Sequence, residues 1–166
     1  MFFTAFSFID RWLLRTLKLL CGITFCIVVF SVIMGIVFRY VFRSPLPWVE
    51  ELSRLSFVWA TFLGACVATR EKRHLKIVIF SGRLGRTGEA IHDIVVSCFA
   101  LFFLIVVLWQ GRLVYEAMSM QMYAGMPISQ KWQALPIVLG SAMMAAYFMS
   151  ILIAGIIALL RKGRLA

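Results

Sequence analysis

The sequence has few charged side chains. Only 14% of its 166 residues are Asp, Glu, Lys or Arg, against about 25% in an average soluble domain. Apolar residues make up 63% of the chain, against roughly 45–50% in such a domain. A water-soluble fold of this length needs a polar exterior that this composition does not supply, and a disordered chain needs low hydrophobicity. Both classes are excluded.

The sequence also lacks the residues of a catalytic or metal site. It holds two histidines and four cysteines, with no C-x-x-C pair, no H-E-x-x-H motif, no nucleophile elbow and no phosphate-binding glycine loop. None of its long apolar runs carries an ionisable residue near its centre, as a proton pump would need. We therefore expect no enzyme activity, no catalytic, substrate-binding or metal residues, and no cofactor beyond a bound phospholipid.

Long apolar runs dominate what is present. A bilayer core about 30 Å thick is crossed by about 20 helical residues. Runs without a charge extend from Leu19 to Phe38, from Ile94 to Gly111 and from Trp132 to Leu160, and a fourth helix reaches spanning length if it begins near Trp48. The predicted fold is all-α, an integral membrane protein with a single domain over residues 1–166 and four transmembrane helices at about 17–40, 48–69, 91–112 and 133–160.

The first apolar run is interpreted as a permanent anchor. It is too long for the apolar region of a signal peptide, and no small-residue cleavage site follows it. The preceding segment, residues 2–16, mixes aromatic and charged side chains. It is interpreted either as an amphipathic helix lying along the membrane interface or as an extension of the first span.

The positive charge is distributed unevenly along the chain. The two termini and the second connecting loop hold twelve Lys and Arg residues, whereas the first and third loops hold four. Because cytoplasmic loops carry the excess of Lys and Arg, both termini are predicted to be cytoplasmic. The net charge of +10 is therefore a topology signal and an attraction to anionic lipid headgroups. It does not indicate a nucleic-acid partner.

A polar cluster marks the start of the second span. Trp48 is followed by Glu50 and Glu51, where negative charge suits a helix N-terminus, and Arg54 follows at helical spacing from both carboxylates. A local ion pair would offset part of the cost of placing Arg54 in the membrane. Either the cluster neutralises itself at the outer interface with Trp48 as an aromatic anchor, or it forms a polar contact between subunits.

Small residues recur every four positions on two of the predicted spans. Such stripes let membrane helices approach closely. They serve either packing within this chain or docking to another chain. Packing within the chain is enough to explain one stripe, but it does not explain both. Two stripes on a four-helix bundle without a transport site therefore favour a partner protein. The stripes consist of Ser56, Ala60, Gly64 and Ala68 on the second span and Ala142, Ala146, Ser150, Ala154 and Ala158 on the fourth.

Three segments, taken in their order along the chain, resemble the small membrane subunit (DctQ-type) of the tripartite ATP-independent periplasmic (TRAP) transporters. The most specific is PLPWVEELSRLSFVWATFLGA, from Pro45 to Ala65. The others are the basic loop ATREKRHLKI, from Ala68 to Ile77, and AGMPISQKWQALPIVLG, from Ala124 to Gly140. The resemblance covers essentially the whole chain. It departs from the family at Val78, where an acidic residue often follows the loop histidine.

The resemblance implies a small permease subunit of a secondary transporter in the bacterial inner membrane. Such a system imports an organic acid, such as sialic acid or a C4-dicarboxylate, together with sodium ions. The small subunit packs against and stabilises the scaffold of a large multi-span subunit, which carries the substrate site, and a periplasmic binding protein delivers the substrate. The predicted partner interface consists of the polar cluster, the small-residue stripe of the second span and the first part of the stripe on the fourth: Trp48, Glu50, Glu51, Arg54, Ser56, Ala60, Gly64, Ala68, Ala142, Ala146 and Ser150.

Basic residues near the bilayer edges are predicted to hold lipid headgroups in the seam between the subunits. These are Arg39, Arg43, Lys72 and Arg73. The alternative is a free-standing four-helix membrane protein, either a homo-oligomeric carrier of small solutes or a structural scaffold. Such a protein would have no obligate partner with a different sequence, whereas a small permease subunit requires a large subunit.

Overall fold

The computed structural model describes residues 2–71 and 86–163, with side chains at 12–71, 88 and 91–157. These residues form four long helices, which confirms the predicted fold class. We number them α1 (Phe2–Tyr40), α2 (Pro47–Glu71), α3 (Arg86–Ser119) and α4 (Lys131–Gly163). Each contains a stretch long and apolar enough to cross a membrane: Trp12–Tyr40, Pro47–Glu71, Ile91–Ser119 and Lys131–Ile157. Residues 2–16 continue α1 without a break.

The turn between α1 and α2 is built from residues that stop one helix and start the next. Beyond Tyr40 the backbone reaches Arg43, whose φ of 52° is in the left-handed region, and the Ser44 amide donates to the Phe38 carbonyl at 3.1 Å. Pro47 then occupies the first position of α2, where its fixed φ suits a helix and its missing N–H costs nothing.

The helices form two hairpins that meet through their second members. α1 packs chiefly against α2, α3 packs against α4, and α2 packs against α4. The order across the molecule is therefore α1, α2, α4, α3, which makes the predicted four-helix bundle an open row. The chain exposes 12527 Å² of surface, against roughly 8,300 Å² for a compact monomer of this mass, because each flanking helix has essentially one neighbour.

Small residues line the contacts between the helices, as is usual where lipid removes the hydrophobic driving force. In the α1/α2 contact the Cys21 thiol donates to the Ala60 carbonyl at 3.7 Å. In the α2/α4 contact a Cβ added to Gly140 would stand 2.9 Å from the Phe62 ring, so the two backbones approach closely. Each helix also contributes one buried serine: Ser31, Ser56, Ser97 and Ser141.

A proline inside α4 ties that helix to α2. Pro136 has no N–H to donate to the carbonyl of Trp132, four residues earlier. The Trp59 indole N–H of α2 donates to this carbonyl instead, at 3.1 Å. A backbone group freed by the sequence of one helix is thus satisfied by a side chain of its neighbour.

Candidate functional site

The C-terminal end of α1 and the N-terminal end of α2 meet on one side of the molecule, which we call the outer side after the predicted orientation of the chain. An ion pair joins the two ends. Arg39, in the last turn of α1, pairs with Glu50, in the first turn of α2. Both side chains are about half exposed. The local pair that the sequence predicted between Arg54 and the two glutamates does not form, since Glu50 is engaged by Arg39 and Glu51 by backbone amides.

Glu51 holds the outer loop that connects α3 to α4. Its two carboxylate oxygens accept hydrogen bonds from the amides of Ala124 and Gly125, at 2.9 and 3.0 Å. At Gly125 the loop lies against the start of α2, because an added Cβ would stand 2.6 Å from the backbone nitrogen of Trp48. Hydrogen bonds to a charged acceptor are about twice as strong as neutral ones, so this contact fixes the loop to α2.

The loop is also closed on itself. The Tyr123 amide donates to the Ile128 carbonyl at 3.1 Å, and Met122 and Ser129 form an antiparallel bridge. The Tyr123 side chain is buried, and its hydroxyl donates to Gln133 Oε1 at 2.7 Å. Burial raises the pKa of Tyr123; the positive charge of Arg54 opposes this shift and the negative charge of Glu51 reinforces it.

Together these contacts form an outer network that joins α1, α2, the outer loop and α4. It consists of Arg39, Glu50, Glu51, Tyr123 and Gln133 with the backbone of Ala124 and Gly125. The network contains a carboxylate that accepts two backbone hydrogen bonds, at Glu51, and a half-exposed ion pair between Arg39 and Glu50. The network holds elements in place, and the described residues contain no group of three or more His, Cys, Asp or Glu suited to a metal ion.

The two predicted small-residue stripes have different surroundings. On α2, Ser56 is buried, the Ala60 carbonyl accepts from Cys21, and an added Cβ on Gly64 would stand 3.6 Å from the Cys21 sulfur. Most of this stripe therefore packs against α1. Of the two roles considered for the stripes, this is packing within the chain and not docking to another chain. Ala68, at its inner end, is exposed.

The stripe on α4 is open. Ala142, Ala146, Ser150 and Ala154 are all exposed, while the neighbouring Ser141 is fully buried. Its small side chains offer a surface where another helix can approach closely, and docking at this stripe stays a prediction. Ala158 lies outside the described side chains.

The predicted lipid-binding residues are only partly described. Arg39 is engaged by Glu50, and Arg43 is exposed at the outer turn. Lys72 and Arg73 lie outside the described residues. Trp48 is 37% exposed beside the outer loop.

Sequence reasoning missed three contacts of this region: the Arg39–Glu50 pair, the Glu51 bonds to the loop, and the Trp59–Trp132 bond. A proline four residues after Trp132 is readable in the sequence and shows that the Trp132 carbonyl is free within α4. Nothing in the sequence shows that Trp59 supplies the donor.

Four apolar helices of spanning length, small-residue contacts and a structural polar network define a multi-pass membrane protein. The family profile described as "Tripartite ATP-independent periplasmic transporters, DctQ component" matches residues 28–158, more than three quarters of the chain. The chain belongs to this family of transporter permease components, which is not an enzyme family.

Two relatives from Haemophilus influenzae are similar to the chain. One, a TRAP transporter small permease protein, is 34% identical over 77 residues, covering 46% of this chain and 48% of the relative. The other, the sialic acid TRAP transporter permease protein SiaT, is 32% identical over 125 residues, covering 70% of this chain and 20% of the relative. The chain thus spans about half the length of the first and a fifth of the second.

Proposed function

We propose that this chain is the small permease subunit of a TRAP-type secondary transporter in the bacterial inner membrane. The observation that carries the proposal is the family match over residues 28–158. The similarity to only a fifth of SiaT supports a large membrane subunit as partner, since the rest of that relative is where the transport machinery would reside. The excess of Lys and Arg in the termini and second loop supports cytoplasmic termini.

The proposed role of the chain is to widen and stiffen the stationary part of the transporter. An open row of four helices offers a broad membrane footprint, and the outer network ties both hairpins together. The docking contacts are drawn from the exposed members of the predicted interface, which are Trp48, Glu50, Arg54 and Ala68 on α2 and Ala142, Ala146 and Ser150 on α4. The substrate site belongs to the large subunit, and this chain needs no cofactor.

The proposed substrate is an organic acid taken up with sodium ions and delivered by a periplasmic binding protein. Sialic acid is supported by the name of one relative, and a C4-dicarboxylate is the alternative. Exposed Arg43 supports a lipid headgroup contact at the outer edge.

Native mass spectrometry of the affinity-tagged chain, gently solubilised from its own host, tests the proposal. We expect a one-to-one complex with a much larger multi-span membrane protein, and sodium-dependent uptake of an organic acid that is lost when this chain is deleted. A monomer or homo-oligomer in several mild detergents, with unchanged uptake after deletion, would instead support a free-standing protein.

A further inference from the structure

One face of α2 remains uncovered although α2 is a central helix of the row. Phe57, Thr61, Ala65 and Ala68 lie three, seven, eleven and fourteen residues after Arg54, which places all five on one side of the helix. Arg54, Phe57, Thr61 and Ala68 are exposed and Ala65 is half-buried. We call these five residues the Arg54 face.

Arg54 has no anionic partner among the described residues. The two carboxylates at helical spacing from it are engaged elsewhere, Glu50 by Arg39 and Glu51 by the loop amides. Its neighbour Tyr123 is a phenol whose hydroxyl is bonded to Gln133. The chain therefore leaves a full positive charge exposed on a membrane-spanning helix, where an unpaired charge is unfavourable.

Beyond Phe57, the Arg54 face does not resemble a surface that meets lipid tails. Thr61, Ala65 and Ala68 are small, whereas the exposed sides of α1 and α3 carry large apolar groups such as Phe30 and Phe99, which are 64% and 74% exposed. α2 also has the lowest mean hydropathy of the four spans. Small residues below a charged one are typical of a contact between membrane helices.

From these observations we infer that the Arg54 face docks a transmembrane helix of the large subunit, and that a carboxylate on this helix pairs with Arg54. The inference rests on the proposed function and narrows it to one face of one helix. Thr61, Ala65 and Ala68 let the partner backbone approach, and Phe57 supplies an apolar contact. Arg54 lies about 10 Å along the helix from Pro47, so the carboxylate is placed in the outer third of the bilayer.

The test uses the tagged chain co-expressed with its large subunit and compares Arg54→Gln with Arg112→Gln. Arg112 is the matched control, since it is also an exposed arginine in the outer half of a helix but is paired with Glu116 of its own chain at 3.2 Å. We expect recovery of the large subunit to fall about tenfold or more for Arg54→Gln, as when one partner of a buried charge pair is removed, and to stay unchanged for Arg112→Gln. Gel filtration of each variant alone checks that it is folded.

Carbodiimide coupling of Arg54→Lys identifies the partner group. The reagent activates a carboxylate, and a contacting lysine amine displaces the activating group to form an amide. We expect a cross-link between residue 54 and an Asp or Glu of the large subunit, located by peptide mass spectrometry. The Lys18–Glu71 ion pair within the chain serves as the positive control for coupling in every sample.

Three results would overturn the inference. Wild-type recovery for Arg54→Gln together with a phospholipid lost from that variant would assign Arg54 to a lipid phosphate. Loss of the complex in Ala142→Leu/Ala146→Leu, with wild-type recovery for Arg54→Gln, would place docking on α4 and leave the proposed function intact. Absence of any large membrane protein with the wild-type chain would overturn both the proposed function and the inference.

Discussion

Backbone groups left free by individual residues shape this protein. Pro136 removes the N–H that would bond the Trp132 carbonyl, and Trp59 of α2 donates to it instead. Similarly, Glu51 accepts from two amides of the outer loop. In a membrane protein unsatisfied backbone groups are especially costly, so single side chains that satisfy them from another element hold the elements in register.

The Trp59 bond is expected to matter only because residue 136 is proline. Trp59→Phe should destabilise the chain by about 0.5–1.5 kcal/mol, the net contribution of an ordinary hydrogen bond. In a Pro136→Ala background the new amide of residue 136 donates to Trp132, so the cost of Trp59→Phe should become smaller. A double-mutant cycle of unfolding free energies in detergent measures this coupling.

Loss of the indole shape is common to both backgrounds and therefore cancels in the cycle. An equal cost of Trp59→Phe in the wild-type chain and in the Pro136→Ala background would show that the bond to Trp132 contributes nothing.

The two adjacent glutamates are expected to differ in importance. Glu51→Gln should cost about 1.5–3 kcal/mol, because two charge-assisted bonds to the loop are weakened. Glu50→Gln should cost no more than about 1 kcal/mol, because its pair with Arg39 is half exposed. Thermal unfolding of the two variants and protease cleavage of the outer loop provide the comparison. If the protease cleaved the outer loop faster in Glu50→Gln than in Glu51→Gln, Glu51 would not be the residue that holds the loop.

At the scale of elements, two similar stripes of small residues serve different purposes. The α2 stripe from Ser56 to Gly64 packs against α1 inside the chain, whereas the α4 stripe from Ala142 to Ala154 is exposed. A larger side chain is therefore expected to have different consequences for the stability of the isolated chain at the two places.

Gly64→Leu is expected to weaken the contact between α1 and α2. A Cβ on residue 64 would already be in van der Waals contact with the Cys21 sulfur at 3.6 Å, so the larger leucine side chain would push against α1. Overpacking of this kind costs about 1–3 kcal/mol. Ala146→Leu should leave the thermal midpoint of the isolated chain unchanged, because the residue is exposed. If Ala146→Leu alone lowered the midpoint, the α4 stripe would be part of the internal packing.

At the scale of the whole molecule, the row of helices leaves an unusually large surface uncovered. The flanking helices α1 and α3 each have essentially one neighbour, and the long exposed sides carry large apolar groups. Lipid covers such surface without difficulty, but among the described residues the two hairpins meet mainly where α2 contacts α4 and the outer loop. A partner that binds both hairpins would therefore add to the stability of their arrangement.

The chain in complex with its large subunit is expected to unfold at a higher temperature than the isolated chain in the same detergent. A partner that binds only the folded state stabilises it by about 2.7 kcal/mol at a hundredfold excess over its Kd. Differential scanning fluorimetry followed by gel filtration of heated samples measures the two midpoints. Equal midpoints, with the complex still intact before heating, would show that the arrangement of hairpins does not depend on the partner.

Much of the architecture was predictable from the sequence. Apolar runs of about 20 residues indicate membrane spans, and Pro45 and Pro47 mark the break before α2. The Glu51 contact was not predictable, because its acceptor role depends on a loop 73 residues away in the chain. The expected ion pair of Arg54 was wrong for the same reason, since local spacing permits a pair but distant partners decide whether the carboxylates are available.

The number of spans and the membrane class follow from the amino-acid sequence, because hydropathy and length are local properties. The residues that share a helix face follow from it as well, because the helical repeat is constant. Which face meets which helix is seen only in the folded chain, where the α2 stripe packs against α1 and the α4 stripe and the Arg54 face are left open. Small residues permit close approach by any helix. Which helix packs against a given stripe therefore depends on contacts between distant parts of the chain.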